Sequence, residues 1–419
     1  MVIFYNFFIA LYLLAAKILA LWNAKAALWV NGRKNIFGKL DAACSKYRGN
    51  IIWMHCASLG EFEQGRPVLE SLRRQYPHYK ILLTFFSPSG YEIRKNYPGA
   101  DFIFYLPLDG LSRSAKFVET VQPALAIFIK YEYWYHYLHA LKERKIPAIL
   151  VSAIFRESQP FFKWYGVFWR KMLGCYQHLF VQHHESSELL KSIGIRENVT
   201  VSGDTRFDRV IEIAEKFEPI PWIEEYCKGR QVLVAGSTWQ EDEEELVHYT
   251  KTNPDKRFII APHEIDEGRL KEIKKLFPHS IRFSELQKTG YTEPGTDNVL
   301  IIDNIGMLAR LYKYADVTYV GGGFGGDGIH NILEAAVYGR PVIFGPEYEK
   351  FREAVDLVES GGAITVESAV ELEEILELLF DNKEELKNRS DIAGNYVRDQ
   401  AGATKKIIHY IQEKRLLTS

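Results

Sequence analysis

Three side chains in this 419-residue sequence stand where acid–base and charge chemistry could be done: Glu61, Glu132 and Arg206. Glu61 closes the run His55-Cys56-Ala57-Ser58-Leu59-Gly60-Glu61, which continues the apolar stretch that starts at Ile51. A carboxylate at the mouth of a strand can take a proton from an attacking hydroxyl. The Ser58-x-x-Glu61 spacing is also that of a capping box, a purely structural use. Glu132 follows the apolar run 124–129, within Lys130-Tyr131-Glu132-Tyr133-Trp134. It is placed either to orient substrate and stabilise charge or simply to start a helix. Arg206, in Gly203-Asp204-Thr205-Arg206-Phe207-Asp208, could face an anionic leaving group or pair with Asp204 or Asp208 at the surface.

A second set of residues suits a ligand rather than a proton. Six glycines occupy the eight positions from Gly321 to Gly328, between the β-branched run 317–320 and a helical pattern that ends at Gly339-Arg340-Pro341. Strand, glycine-rich turn and helix in that order let backbone N–H groups approach a phosphate, with a helix N-terminus behind them. The spacing Gly321-x-Gly323-x-x-Gly326 formally matches a dinucleotide fingerprint, but it lies late in the chain. Glu334, early in the following helical pattern, could accept hydrogen bonds from ribose hydroxyls, or only complement the helix dipole. His263, after Pro262 at the end of another apolar run, could touch a phosphate or base, or be a plain loop residue. Gly236-Ser237-Thr238-Trp239 ends a further run, and the acidic stretch Glu241–Glu245 behind it reads as a solvated helix face.

The elements that must position these groups alternate regularly. Strands are expected near 51–55, 81–85, 102–104, 124–129, 148–152 and 178–182. A second series lies near 231–235, 257–261, 298–302, 317–320 and 341–344, each strand leading to a helical pattern. Such βαβ alternation predicts parallel sheets covered on both faces, in two doubly wound halves with the ligand between them beyond the carboxyl ends of the strands. The linker expected is Glu218-Pro219-Ile220-Pro221, followed at the end of the chain by an acidic helix over Glu367–Asn388 and a last helix near Asn395–Lys414. Residues 2–22 are apolar enough to enter a bilayer, the alternative being a buried or interfacial helix, and Lys25, Arg33, Lys34 and Lys39 behind them place the rest of the chain on the cytoplasmic side. The expected division is therefore an anchor at 1–30, a first half at 31–218 and a second at 219–419. A net charge of −2 gives no general attraction to nucleic acid, and four scattered cysteines argue for a reducing compartment and against a structural metal.

Taken together, in order and over nearly the whole chain, these motifs resemble the 3-deoxy-D-manno-oct-2-ulosonic acid (Kdo) transferases. The pieces are the apolar start, His55–Glu61 with Phe62, Glu132 with Trp134, Gly203–Asp208, Gly236–Thr238, Pro262-His263, Asp303–Leu308 and Gly321–Glu334. The resemblance implies a GT-B glycosyltransferase of two Rossmann-like domains, inverting, with CMP-Kdo as donor and a phosphorylated lipid A precursor (lipid IVA) as acceptor. It implies work at the inner-membrane surface in lipopolysaccharide biosynthesis, with no metal or other cofactor. By the same resemblance Glu61 is the general base and Glu132 and Arg206 support the transition state. Pro262, His263, Ile305, Gly306, Met307, Asn331, Ile332, Leu333 and Glu334 then contact the CMP moiety. The chain departs from the family pattern at Lys130, at Arg206, at Trp239 and in a Pro262-His263 pair with no arginine between. Another GT-B transferase, a sugar-nucleotide epimerase or a non-catalytic nucleotide-sugar binder are the alternatives.

Overall fold

The computed structural model describes residues 1–289, 297–326 and 328–418; Asp327 of the glycine run lies outside them. Two compact units emerge, Met1–Arg209 with Ala401–Ser419, and Val210–Gln400. The first unit holds β1 (Ile51–Cys56), β2 (Lys80–Phe85), β3 (Phe102–Tyr105), β4 (Leu125–Ile129), β5 (Ala148–Ala153), β6 (His178–Val181) and β7 (Val199–Val201). Its sheet order is β3-β2-β1-β4-β5-β6-β7, parallel throughout. Every residue of β1, β4 and β5 is buried, as continuous apolar runs must be when helices cover both faces.

The second unit holds β8 (Val232–Thr238), β9 (Arg257–Pro262), β10 (Ser280–Arg282), β11 (Val299–Ile301), β12 (Val317–Val320), β13 (Val342–Phe344) and β14 (Ala363–Thr365). The order is β10-β11-β9-β8-β12-β13-β14, again all parallel. In each sheet the chain fills one side of its first strand, with β11 inserted between β9 and β10 in the second, and then crosses to the other side. That leaves a switch point between β1 and β4 in the first unit, and between β8 and β12 in the second. Loops at the carboxyl ends of such neighbouring strands are where open α/β sheets hold their ligands.

Four expectations about elements need correction. The last helix, Ala403–Glu413, belongs to the first unit, because Ile407, Ile408 and Ile411 pack into the apolar core under β1 and β2. The acidic helix breaks at Asn382, whose side chain accepts the N–H groups of Glu384 and Glu385 and so starts a new helix, Lys383–Asp399. The division between units falls at Arg209–Val210, inside the helix Thr205–Glu215, while Pro221 opens the helix Pro221–Cys227. The helical pattern after the glycine run forms one turn only, Leu333–Ala336, which weakens any argument from its dipole.

The N-terminal helix, Val2–Leu19, is not a free-standing segment. Tyr5 donates to Asp109 at 2.6 Å, and Ile9 is buried with Trp29 and Leu108 against the first unit. Ile3, Phe4, Phe7, Phe8, Leu11 and Leu14 on the rest of its surface are exposed.

Candidate active site

In the first unit the residues around the β1–β4 switch point form one connected group. β1 ends at Cys56, Ser58 caps the helix Leu59–Gln75, and Glu61 lies in its first turn, half-buried. The capping box itself does not form: Ser58 Oγ donates to Glu61 Oε2 instead of accepting a backbone N–H. The Glu61 carboxylate is thus oriented by a hydroxyl at the strand mouth. Beyond β4, Lys130 takes a left-handed backbone conformation (φ +73°), a strain of about 1 kcal/mol or more for a side chain of this kind. That turn delivers Glu132 inward, where it is only 3 % exposed.

Glu132 is held from three directions. Trp134 Nε1 donates to its Oε2, His55 Nε2 lies 3.1 Å from the same oxygen, and Tyr176 OH donates to its backbone carbonyl. The His55 approach has the distance of an ion pair but is not aligned as a hydrogen bond. On its other side His55 Nδ1 meets Thr84 O at 3.0 Å and Thr84 Oγ1 at 2.9 Å, and Thr84 Oγ1 accepts Trp53 Nε1 at 2.8 Å. The Cys56 thiol, at the end of β1, is fully buried within the influence of both carboxylates. Burial pushes its pKa well up, and Glu132, Glu61 and Glu63 add to the effect in that order. A thiol in that setting stays protonated and does not act as a nucleophile.

Arg206 sits in the first turn of Thr205–Glu215 with its Nε 2.7 Å from Asp204 Oδ2, so the pairing alternative is realised, while its side chain stays 29 % exposed. Asp208 does something else: its two carboxylate oxygens accept the N–H groups of Gly402 and Thr404, both at 2.6 Å, at the start of the last helix.

In the second unit the β8–β12 switch point brings Ser237–Trp239 against the glycine run. Gly321 N donates to Gly236 O at 2.9 Å. A Cβ on Gly321 would lie 2.5 Å from Ser237 O, and one on Gly323 would lie 2.5 Å from Gly345 N. Gly322 has φ +94°. These three glycines are required by neighbouring backbone; Gly326 has open space around it. Asp242 fastens the arrangement: it accepts Gly322 N (2.8 Å), Trp239 N (2.9 Å) and Tyr319 OH (2.8 Å). Glu243 beside it accepts Thr238 Oγ1 at 2.8 Å and Arg269 Nη2 at 2.5 Å. Both carboxylates are fully buried, which corrects the reading of this stretch as a solvated face. Burial raises both carboxyls, Glu243 to about 7 against the pull of Thr238 and Arg269. The N3 spacing of Asp242 from Trp239 was the available signal, since a side chain there reaches back to the first N–H of a helix.

The remaining expected ligand contacts fall in three places. Pro262 is buried at the end of β9, while His263 is exposed and stacks between Trp239 (4.6 Å) and His330 (4.4 Å). Trp239 Nε1 donates to His330 Nε2 at 3.1 Å, so that ring presents an acceptor there. Ile305 is 88 % exposed beside Gly306 (φ +94°), with Met307 buried. Ile332 and Leu333 are buried, so only their backbones could meet a ligand; Asn331 Nδ2 donates to Glu334 Oε1 at 3.1 Å and leaves that carboxylate half-exposed. The sequence alone assigned no role to His55, Trp134, Asp242 or His330; Trp134 meets Glu132 two residues away, while His55, Asp242 and His330 take their places through partners remote in sequence.

The family model described as 3-deoxy-D-manno-octulosonic-acid transferase (kdotransferase) matches residues 31–209. A 3-deoxy-D-manno-octulosonic acid transferase of Aquifex aeolicus is 29 % identical over 343 residues, 80 % of this chain and 88 % of that protein. One of Bordetella pertussis is 27 % identical, over 95 % of this chain and 96 % of that protein. Among solved structures, UDP-GlcNAc 2-epimerase of Neisseria meningitidis bound to UDP-GlcNAc aligns with a TM-score of 0.61 at 17 % identity, over 87 % of this chain and all of that one. At that identity the likeness speaks for the fold alone, two Rossmann-like units of the GT-B class.

Proposed function

We propose that this chain is a member of the Kdo transferase family and that it moves Kdo from CMP-Kdo to a phosphorylated lipid A precursor, lipid IVA, at the cytoplasmic face of the inner membrane. The observation that carries the reading is the pair Glu61 and Glu132, set on either side of the β1–β4 switch point within the matched residues. Glu61, half-buried and oriented by Ser58, takes the proton of the acceptor hydroxyl as its oxygen attacks the anomeric carbon of the donor. The bond to CMP breaks with its electron pair on the phosphate, and configuration inverts. Glu132 stabilises positive charge developing on the sugar, and the guanidinium of Arg206 meets the departing phosphate.

The donor is assigned to the second unit. His263, exposed beside Trp239 and His330, offers its imidazole edge to a phosphate or the base, Ile305-Gly306 an exposed apolar edge, and Glu334 a carboxylate for ribose hydroxyls. No metal or other cofactor enters the proposal. Membrane attachment is assigned to the exposed face of Val2–Leu19, an 18-residue apolar helix of which 6 % is buried. Because its other face is seated on the first unit, it is read as lying in the interface rather than crossing the bilayer.

The test is transfer by the purified full-length protein in detergent, with CMP-Kdo generated in place and a tetra-acylated lipid A precursor, the product read by mass spectrometry. A gain of one or more Kdo units is expected. Glu61→Ala is expected to abolish transfer while CMP binding persists. CMP release without lipid modification, or full turnover by Glu61→Ala, would overturn the reading.

A further inference from the structure

The N-terminal helix has two faces, and the inner one leads to Glu132. Tyr5, Ile9, Leu13 and Ala16 recur at helical spacing and enter a small apolar core with Trp29, Leu108, Phe86 and Trp134. Tyr12 extends the stripe, its ring 6.0 Å from Phe86, and Phe86 lies 5.0 Å from Trp134. Trp134 then donates its indole N–H to Glu132. Polar contacts fix the register of the seating. Tyr5 OH donates to Asp109 Oδ2, and Asn6 Oδ1 lies 2.6 Å from His136 Nε2. Asp109 in turn accepts the N–H groups of His136 (3.0 Å) and Tyr137 (3.1 Å), the first turn of the helix whose N-cap is Trp134. A helix that served only to hold the chain at a membrane would need none of these hydrogen bonds.

We propose that the inner face of Val2–Leu19 is a positioning element for Glu132, acting through Trp134, so that seating this helix sets turnover as well as attachment. The proposal rests on the role given to Glu132 above. Phe86 packs on the indole, Ile9 is buried in the same apolar cluster, and Asp109 anchors the turn that carries it. A carboxylate only 3 % exposed has few other ways to move, so a shift of the indole becomes a shift of the carboxylate. Displacement by an ångström of a group that must meet a transition state costs about 100-fold in rate.

The experiment uses the full-length protein in non-ionic detergent micelles, where attachment to a bilayer does not limit the reaction, with CMP-Kdo and the tetra-acylated precursor. Ile9→Ala and Trp134→Phe are expected to lower kcat about 10- to 100-fold, with KM for both substrates within about twofold of the parent. Ile9→Val restores most of the loss. Tyr5→Phe, a milder change that keeps the ring, is expected to lower kcat in the same direction should Ile9→Ala not fold. In 5-fluorotryptophan-labelled protein, the ¹⁹F resonance that Trp134→Phe removes should shift in Ile9→Ala and Tyr5→Phe. Sedimentation with phosphatidylglycerol-containing vesicles should stay at the parent level, because the exposed face is untouched. Unchanged kcat in the inner-face variants, or a kcat loss with the Trp134 resonance unmoved, overturns the proposal. Glu132→Gln separates the two ideas. If it turns over at the parent rate, the role of Glu132 falls and this proposal falls with it. If it is inactive while Ile9→Ala is fully active, only this proposal falls.

Discussion

Alanine at Gly321 and at Gly326 should have opposite effects, although both glycines belong to one run. At Gly321 the new methyl would lie 2.5 Å from Ser237 O, 2.7 Å from Thr238 Cα and 2.8 Å from Asp242 Oδ2. The first contact is 0.9 Å inside the 3.4 Å at which ordinary contact begins. None of these atoms can easily retreat. Ser237 and Thr238 end β8, which is paired to β12 directly beside the loop, and Asp242 is fixed by three donors. Overpacking against backbone of this kind costs about 1–3 kcal/mol. For a unit of this size that lowers the unfolding midpoint by roughly 4–8 °C at the middle of the range. Gly326 has nothing within 4 Å and no positive φ. Alanine there is expected to be neutral or to stabilise by about 0.4–1 kcal/mol, by restricting the unfolded chain. Urea and thermal unfolding of the two variants, with CMP binding measured alongside, decide the matter. A Gly321→Ala protein as stable as its parent would refute the packing argument. A Gly326→Ala protein that is stable but no longer binds CMP would assign that glycine to ligand approach.

Glu243 gives a pH dependence whose sign is fixed by its environment. Its folded pKa, about 7, lies above the ordinary 4.5, so the folded state keeps a proton that the unfolded state has lost. Its contribution to stability is therefore full below about pH 4.5 and is lost as pH rises toward 7, at up to about 1.4 kcal/mol per pH unit. Unfolding free energies from pH 5 to 7.5 should fall less steeply in Glu243→Gln than in the parent; identical slopes would exclude this carboxyl. Asp208→Ala removes the acceptor for Gly402 and Thr404 and should cost about 1 kcal/mol, with faster amide exchange confined to Ala403–Glu413. Unchanged exchange there would show that apolar packing alone holds this helix.

How far the site could be read before folding differs between its parts. The position of Glu61 followed from a strand run and a capping signature that are both local. The fate of Glu132 did not, because what holds it comes from Trp134, His55 and Tyr176, and His55 reaches it only through the pairing of β1 with β4. The acidic stretch 241–245 looked solvated because charge is the default signal of exposure. Two of its members are buried because β12 and Arg269 supply partners that no sequence window contains.

By itself the sequence determined the βαβ alternation, since apolar runs long enough for strands and the periodicity of the helices between them are local properties of the chain. It determined too that Glu61, Glu132, Trp239 and Gly321 would stand at carboxyl ends of strands, because each directly follows an apolar run. Only the tertiary structure decided which of those ends are neighbours. Strand order within each sheet depends on where the chain crosses back over its first strand, and that is settled by the packing of helices on both faces. The same holds at the two termini. An apolar start and an amphipathic end carry no record of their partners; Asp109 and Asp208, each over a hundred residues away, hold them on the first unit.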